Sequence, residues 1–271
     1  MKLHIVFLLS ASWYLAACTS GHKPSETSKP DSLSVENTLG NQQLEIDKYV
    51  NAIKGELPKL EYKRSLRYNL GDFSFDVSVY YKNNKEVALI EDGHRGEFSY
   101  RRLNIYLKGD KPVFAELNEK TSMGSNNQFV EVKIYLDSGL KVLKAVERKS
   151  DEENKLANLP FSSFTPDTSG FAFKAAFLKR ALDRSGEFDL PFYEIKQDKN
   201  IEYLVLGKNE EGSYWVNLQI VKEDSVIKRL KMNQSQFKGK RLDVEWEYEN
   251  IKGYERLVYK NGKLPNESQL N

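Results

Sequence analysis

Apolar and polar residues alternate with a period of two along most of the chain beyond residue 70. This alternation is typical of strands that bury one face, and it predicts strands over residues 73–79, 103–107, 129–134 and 214–220. Polar breaks with turn-forming residues separate the runs, so hairpins and an antiparallel meander are expected. The breaks are Asn83-Asn84, Asp92-Gly93, Gly109-Asp110, Asp137-Ser138-Gly139, Glu223-Asp224-Ser225 and Asn261-Gly262.

Two segments have helical spacing instead. Residues 41–57 place Leu44, Tyr49 and Ile53 on one face, and Gly55 and Pro58 end the pattern. Residues 170–184 carry apolar side chains followed by a cationic end, which the helix dipole favours. The sequence therefore predicts an α+β fold, mainly an antiparallel meander sheet with one or two packing helices.

The meander also shows an internal similarity. Residues 130–143 align with residues 244–257 without gaps, and Val130, Glu131, Gly139 and Leu143 recur in the second copy. We interpret the chain as two helix-plus-meander units, 41–150 and 171–271, joined by a polar linker over 151–170. Chance resemblance between strand–turn–strand segments is the alternative.

The first residues follow a different pattern. One lysine, Lys2, precedes a mostly apolar run over residues 5–17, and polarity rises at Thr19. A helix needs about 20 apolar residues to cross a bilayer, so this run is too short for a permanent span. A charged start and a short apolar core predict a secretory signal peptide over residues 1–17.

The stretch Leu15-Ala16-Ala17-Cys18 resembles the lipobox of bacterial lipoproteins. The resemblance implies that Leu15, Ala16 and Ala17 are recognised by a signal peptidase that cuts before Cys18. It further implies that Cys18 carries a diacylglycerol and an amide-linked fatty acid such as palmitate, so that the protein is anchored to a membrane. Thr19 stands where inner-membrane lipoproteins often carry Asp, which favours the outer membrane over the inner one.

Residues 18–40 are rich in Ser, Thr, Pro and Lys and have few apolar side chains. Such a composition cannot bury enough apolar surface to order itself. We therefore predict a flexible tether between the lipid and the folded part.

Composition excludes several classes of protein. Of 271 residues, 41 are basic and 39 acidic, and this balance does not favour nucleic acid as a partner. Cys18 is the single cysteine, so the chain has neither an internal disulfide nor a thiolate zinc site. Phosphate-binding glycine motifs are missing from the sequence, and no cofactor is expected.

Candidate catalytic groups are few. His94 is the one histidine of the expected folded part, and with Glu91, Asp92 and Glu97 it offers a possible oxygen-rich metal set. We favour solvated turn residues here and predict neither a metal nor a catalytic site. Glu245, Glu247 and Glu249 alternate with apolar residues and should share one face of a strand, as a solvated row or as part of a hydrolase carboxylate pair.

Aromatic side chains are the best candidates for recognition. Those in predicted strands are expected mainly to pack in the core, and some to contact a glycan or protein partner: Tyr80, Tyr81, Tyr106, Trp215 and Trp246. The sequence thus predicts a lipid-anchored envelope protein, more consistent with a non-enzymatic binding or scaffolding module than with an enzyme. An envelope hydrolase that uses paired carboxylates, and a carrier for an apolar ligand, are the alternatives.

Overall fold

The computed structural model describes residues 32–123, 126–166 and 169–265. Most of them lie in an antiparallel sheet accompanied by a few helices, so the predicted α+β class is confirmed. The predicted signal peptide, the lipobox with Cys18, and tether residues 18–31 lie outside the described residues.

Five helices accompany the sheet among the described residues. They are α1 (Ser32–Glu56), α2 (Glu153–Leu156), α3 (Ser169–Asp183), α4 (Ser225–Met232) and α5 (Gln234–Phe237). The predicted helix over 170–184 matches α3 within one residue at each end. Helix α1 begins nine residues before the predicted start at Asn41, so residues 32–40 of the predicted tether are helical.

The described strands alternate along the chain with short turns. They are β1 (Glu61–Arg64), β2 (Tyr68–Leu70), β3 (Phe73–Lys82), β4 (Lys85–Arg95), β5 (Ser99–Lys108), β6 (Lys111–Met123), β7 (Asn126–Leu136), β8 (Val142–Ser150), β9 (Ser162–Ser163), β10 (Phe192–Asp198), β11 (Ile201–Gly207), β12 (Trp215–Ile220), β13 (Asp243–Ile251) and β14 (Tyr254–Lys263). All four predicted strands are present.

The strands join in one sheet. Its main order is β10-β11-β12-β2-β3-β4-β5-β6-β7-β8-β9, and β1 lies beside β2 on the same edge of β3. Strand β14 pairs in parallel with β12, and β13 pairs with β14. Every other pairing in the sheet is antiparallel.

Several predicted breaks are hairpin turns. Asn83 and Asn84 have φ of 52° and 60°, and Gly109 and Asp110 have φ of 60° and 63°. Positive φ at both central residues is what a tight two-residue hairpin requires. The Asp137 to Gly139 segment likewise separates β7 from β8.

The other three breaks are not turns between strands. Asp92-Gly93 lies inside β4, where a Cβ on Gly93 would come within 2.5 Å of the Phe73 ring. Glu223-Asp224-Ser225 leads into α4, because the Asp224 carboxylate accepts a hydrogen bond from the Ile227 amide at 2.9 Å and caps the helix. Asn261-Gly262 lies inside β14.

The sheet buries side chains on both faces. Helix α1 packs Val50 and Ile53 against Ala88, Tyr106 and Phe114 on one face. The opposite face contributes to a larger core with α3, and this core is filled by rings whose centroids lie 4.6–6.5 Å apart: Tyr68, Phe75, Phe177, Phe188 and Tyr214.

The strands of the two predicted units belong to the same sheet, since β12 pairs with β2. The larger core likewise contains residues from both units. Residues 130–143 and 244–257 both form hairpins, β7–β8 and β13–β14. The duplication stays a prediction.

Candidate functional site

The residues around His94 do not converge. Glu91 and Asp92 are neighbours on β4 and therefore point to opposite faces of the sheet. Glu91 is 1 % exposed, whereas His94 and Glu97 are exposed to solvent. Among the residues that the structure describes, no group of three or more His, Cys, Asp or Glu side chains is arranged to hold a metal ion.

Glu91 instead belongs to a buried ionic contact with α3. Its carboxylate lies 2.8 Å from Lys174 Nζ and 3.3 Å from Arg101 Nε. Burial is the main influence on Lys174 and lowers the pKa of its ammonium group. These charges fix α3 over the sheet.

The glutamate row on β13 lies on a solvated face. Glu245 and Glu247 are exposed, and Lys260 on the adjacent strand contacts Glu247 at 3.1 Å and Glu249 at 2.7 Å. Asn261 donates a hydrogen bond to Glu245. The row thus alternates with Val244, Trp246 and Tyr248, which face the core.

Two of the candidate aromatic residues, Tyr81 and Trp246, line the same cleft. Tyr106 is buried under α1 and Tyr80 packs beside that cluster, whereas Tyr81 and Trp246 line one solvent-accessible depression. We call this depression the β1–β13 cleft. Its volume is about 550 Å³, and its lining residues are Lys63, Arg64, Val79, Tyr81, Glu86, Lys179, Leu182, Asp183, Val244, Glu245, Trp246, Glu247 and Lys260.

Three parts of the fold form the cleft. Strands β1 and β3 supply one side, β13 supplies the other, and the last turns of α3 supply Lys179, Leu182 and Asp183. Within the described residues, β1 pairs only with β3 and β13 pairs only with β14. Each of these two strands therefore has one edge without a neighbouring strand.

A cationic side chain lies near each of the two aromatic rings of the cleft. The guanidinium of Arg184 lies 5.8 Å from the Trp246 ring centroid, and the ammonium of Lys63 lies 5.8 Å from the Tyr81 ring centroid. Arg184 is buried and donates to the Leu242 carbonyl at 3.1 Å, which orients it under Trp246. Both rings are half-buried and keep part of their surface toward the cleft.

Charges of both signs surround these rings. Lys179 pairs with Glu86 at 2.6 Å. Lys63 and Asp183 form no ion pair with any described residue, although both line the cleft. They are therefore available to a bound molecule.

An ionic cluster joins β13–β14 to the β1–β2 connection beside the cleft. Arg64 makes paired hydrogen bonds to Asp76, at 2.6 and 3.0 Å, and to Glu255, at 2.8 and 2.9 Å. Its guanidinium carbon also lies 3.6 Å from the Tyr248 ring centroid. Arg67 contacts the same two carboxylates.

The cluster also shifts proton affinities. The hydrogen bond from Arg64 is the main reason that the pKa of Glu255 lies below its usual range. Burial raises the pKa of Tyr248 above that of an ordinary tyrosine. The Glu255 carboxyl is therefore ionised and the Tyr248 phenol is neutral near pH 7.

Sequence reasoning did not identify this cluster. Arg64 and Glu255 are 191 residues apart, and neither belongs to a recognisable motif. Asp76 is a polar position in the alternation over residues 73–79, and such positions are typical of the solvated face of a strand. It is instead 4 % exposed.

A smaller polar depression of about 250 Å³ lies on another part of the sheet and contains Trp215, the remaining candidate aromatic. The indole nitrogen of Trp215 and the side-chain oxygen of Gln219 are buried there without a hydrogen-bond partner among the described residues. Neither atom is accessible to solvent, so a ligand would have to displace side chains to reach them.

No helix in the described part of the chain is both long and apolar enough to cross a membrane. Comparison with protein-family models finds no match, and neither the curated proteins nor the solved structures yield a significant one.

Proposed function

We propose that this protein is a lipid-anchored protein of the cell envelope whose folded part is a non-enzymatic binding module. The lipobox-like sequence at residues 15–18 supports the anchor, and Thr19 supports the outer membrane. The binding site in this proposal is the β1–β13 cleft.

One observation carries the choice of site. Tyr81 and Trp246 face a cleft of about 550 Å³ from two different sides, and charges of both signs surround them. Ligand sites typically combine this size with aromatic surface and a few polar groups that orient the ligand. Because Tyr81 and Trp246 are 165 positions apart in the chain, folding brings them to one cavity.

A hydrolase is the second candidate. Asp183 and Glu245 both line the cleft, and neither forms an ion pair with a described residue. Hydrolysis of a glycoside uses two carboxyl groups that face each other across such a cleft. We favour binding because the other two acidic residues of the cleft, Glu86 and Glu247, are neutralised by lysines.

A carrier for an apolar molecule has less support. The space between the sheet and α3, where such a ligand would lie, is occupied by the cluster of Tyr68, Phe75, Phe177, Phe188 and Tyr214.

Site-specific photo-crosslinking in living cells tests the proposed site. A photoreactive amino acid replaces Glu245 at the cleft or, as a control, Met232, which is 78 % exposed on α4. We expect a covalent adduct from position 245 and none from position 232. Adducts at both positions or at neither would contradict the cleft as the binding site.

A second step separates binding from hydrolysis. The molecule identified in the adduct is then supplied in its free form. It is incubated with the unsubstituted full-length protein and with the Asp183→Asn and Glu245→Gln variants. A ligand that remains intact supports a binding module. Cleavage that either substitution abolishes would establish the hydrolase instead.

A further inference from the structure

We infer that the β1–β13 cleft binds an extended peptide segment of a partner protein, which adds to the sheet as a strand. This inference rests on the proposed function, since it names the class of ligand for the same site. It follows from the two strand edges that border the cleft rather than from the side chains alone.

The free edge of β1 borders the cleft at Lys63 and Arg64. The Ser65 amide donates to the Val77 carbonyl at 2.8 Å, so alternation along β1 directs the backbone groups of residues 61 and 63 to β3. In an antiparallel pair the intervening residues point the opposite way. Tyr62 and Arg64 therefore direct their N–H and C=O groups to the free edge. This explains why Arg64 lines the cleft while its guanidinium binds Asp76.

The free edge of β13 is arranged in the same way. The two-residue turn at Lys252 and Gly253 has positive φ at both positions, and it makes Ile251 and Tyr254 a hydrogen-bonded pair. By alternation, Glu249 and Glu247 bond to β14 and Trp246 points its backbone groups outward.

The directions of the two strands allow one peptide to pair with either edge. Strand β14 is parallel to β12, so β13 runs antiparallel to β12. Strand β3 is also parallel to β12, through β2, so β1 runs antiparallel to β12 as well. Strands β1 and β13 are thus parallel to each other. A peptide that runs opposite to them makes antiparallel pairing on both sides of the cleft.

The size and charge of the cleft fit a short peptide. Four consecutive residues of β13, from Val244 to Glu247, line it, which corresponds to about 13 Å of extended chain. The charges in the lining cancel, and a site without net charge gives no preference to a polyanionic glycan. These charges are Lys63, Arg64, Lys179 and Lys260 against Glu86, Asp183, Glu245 and Glu247.

Backbone pairing gives affinity in strand addition, and pockets for alternate side chains give specificity. Tyr81 and Trp246 supply the aromatic surface of such a pocket, while Lys63 and Asp183 supply charges without ion-pair partners. A glycan would use the same aromatic rings but would not need the strand edges, and this difference can be tested.

The test uses a phage-displayed library of random nine-residue peptides, selected on the full-length protein in detergent. The selected peptides are then measured against Tyr62→Pro and Tyr62→Ala. Both variants lose the stacking of Tyr62 on Tyr80, but only proline removes the outward N–H of residue 62, which is next to Lys63 at the cleft. The bonds to β3 come from neighbouring residues and remain in both variants.

We expect Tyr62→Pro to weaken binding about tenfold or more, and Tyr62→Ala to stay within about twofold of the unsubstituted protein. Methylation of alternate backbone nitrogens in the peptide should weaken binding to a similar extent. This second measurement keeps the inference testable if Tyr62→Pro fails to fold, which circular dichroism would show.

Equal binding by the proline and alanine variants, together with unchanged binding of the methylated peptide, would overturn strand addition. If Trp246→Ala abolished peptide binding in that case, the cleft would remain the peptide-binding site, but without strand pairing. Failure to select any peptide, with a glycan captured from position 245, would also overturn the inference while supporting the proposed function.

Discussion

The hydroxyl group of Tyr248 donates a hydrogen bond of 3.0 Å to the backbone carbonyl of Ser65, 183 residues earlier in the chain. That carbonyl is free to accept it because the Val77 amide bonds to the Ser65 hydroxyl oxygen, at 2.9 Å. The β13–β14 hairpin is thereby attached to the β1–β2 connection beside the cleft.

Removal of this hydroxyl tests the attachment. Tyr248→Phe keeps the ring against Arg64 but leaves the Ser65 carbonyl without its donor, so we expect a loss of about 1 kcal/mol in the free energy of unfolding. Urea denaturation measures the change. Tyr62→Phe, at a residue that is 56 % exposed, is the matched control and should change the free energy by less than about 0.5 kcal/mol. Equal effects of the two substitutions would contradict the attachment.

The pKa of Glu255 predicts how stability depends on pH. Its pKa is lowered in the folded protein, chiefly by the hydrogen bond from Arg64, whereas a glutamate in an unfolded chain has a pKa of about 4.3. The stabilisation is therefore complete above that value and is lost as the pH falls through the folded pKa. We expect Glu255→Gln to be less stable than the unsubstituted protein at pH 7 and to lose less stability on acidification.

Urea titrations at pH 7 and at about pH 3.5 would measure this difference. Glu97→Gln, in the exposed turn between β4 and β5, serves as the control and should follow the unsubstituted protein at both pH values. An acid response of Glu255→Gln equal to that of the control would show that the ion pair does not contribute.

Two glycine substitutions should act in opposite directions. A Cβ at Gly93 would lie 2.5 Å from the Phe73 ring, so Gly93→Ala should destabilise the protein by about 1–3 kcal/mol. Gly55 lies in α1 with no atom within 4 Å of its built Cβ, and Gly55→Ala should stabilise the protein by about 0.5–1 kcal/mol. Thermal denaturation of the two variants tests the opposite signs. A stable Gly93→Ala protein would mean that the Phe73 ring is free to move away.

The lipid anchor makes a prediction independent of the fold. Cys18→Ser removes the sulfur that would carry the diacylglycerol, so cells fed labelled palmitate should show no label on this protein, and the precursor should remain uncut. Ser20→Ala, two residues away, should be labelled and cleaved normally. Label on Cys18→Ser would contradict lipidation at this residue.

The parts of the fold that depend on neighbouring residues were predictable. Period-two alternation located β3, β5, β7 and β12, and the turn chemistry of Asn83-Asn84 and Gly109-Asp110 identified two hairpins. In each case the deciding interaction is local, so the sequence pattern contains it.

Two of the wrong turn predictions have different physical causes. Asp92-Gly93 has turn chemistry, but its glycine accommodates the Phe73 ring from the neighbouring strand. Asp224 is a turn former by composition, yet it caps α4 because apolar residues at helical spacing follow it. The position of Gly93 depends on tertiary packing that no short window of sequence contains, whereas the Asp224 cap and the helical spacing after it are local signals that can be read in the sequence.

The cleft was unpredictable for a similar reason. Its two sides, β1 and β13, are separated by about 180 residues, and their opposition depends on the parallel pairing of β14 with β12. The aromatic candidates included Tyr81 and Trp246. The sequence does not show that these two line a cleft whereas Tyr106 is buried, because exposure depends on the folded structure.

The sheet pairs Asn69 with Trp215 and Ile220 with Tyr259, and these two pairings constrain the order in which the sheet assembles during synthesis. Strands β3 to β8 can pair with their immediate neighbours as soon as about 150 residues have been synthesised. The edge of β2 that faces away from β3 pairs only after β12 has been made. The same edge of β12 is completed only by β14, which follows every other described strand in the chain. Among the described strands, β13 and β14 are made last, and they complete the sheet inside it, beside β12, rather than at its rim.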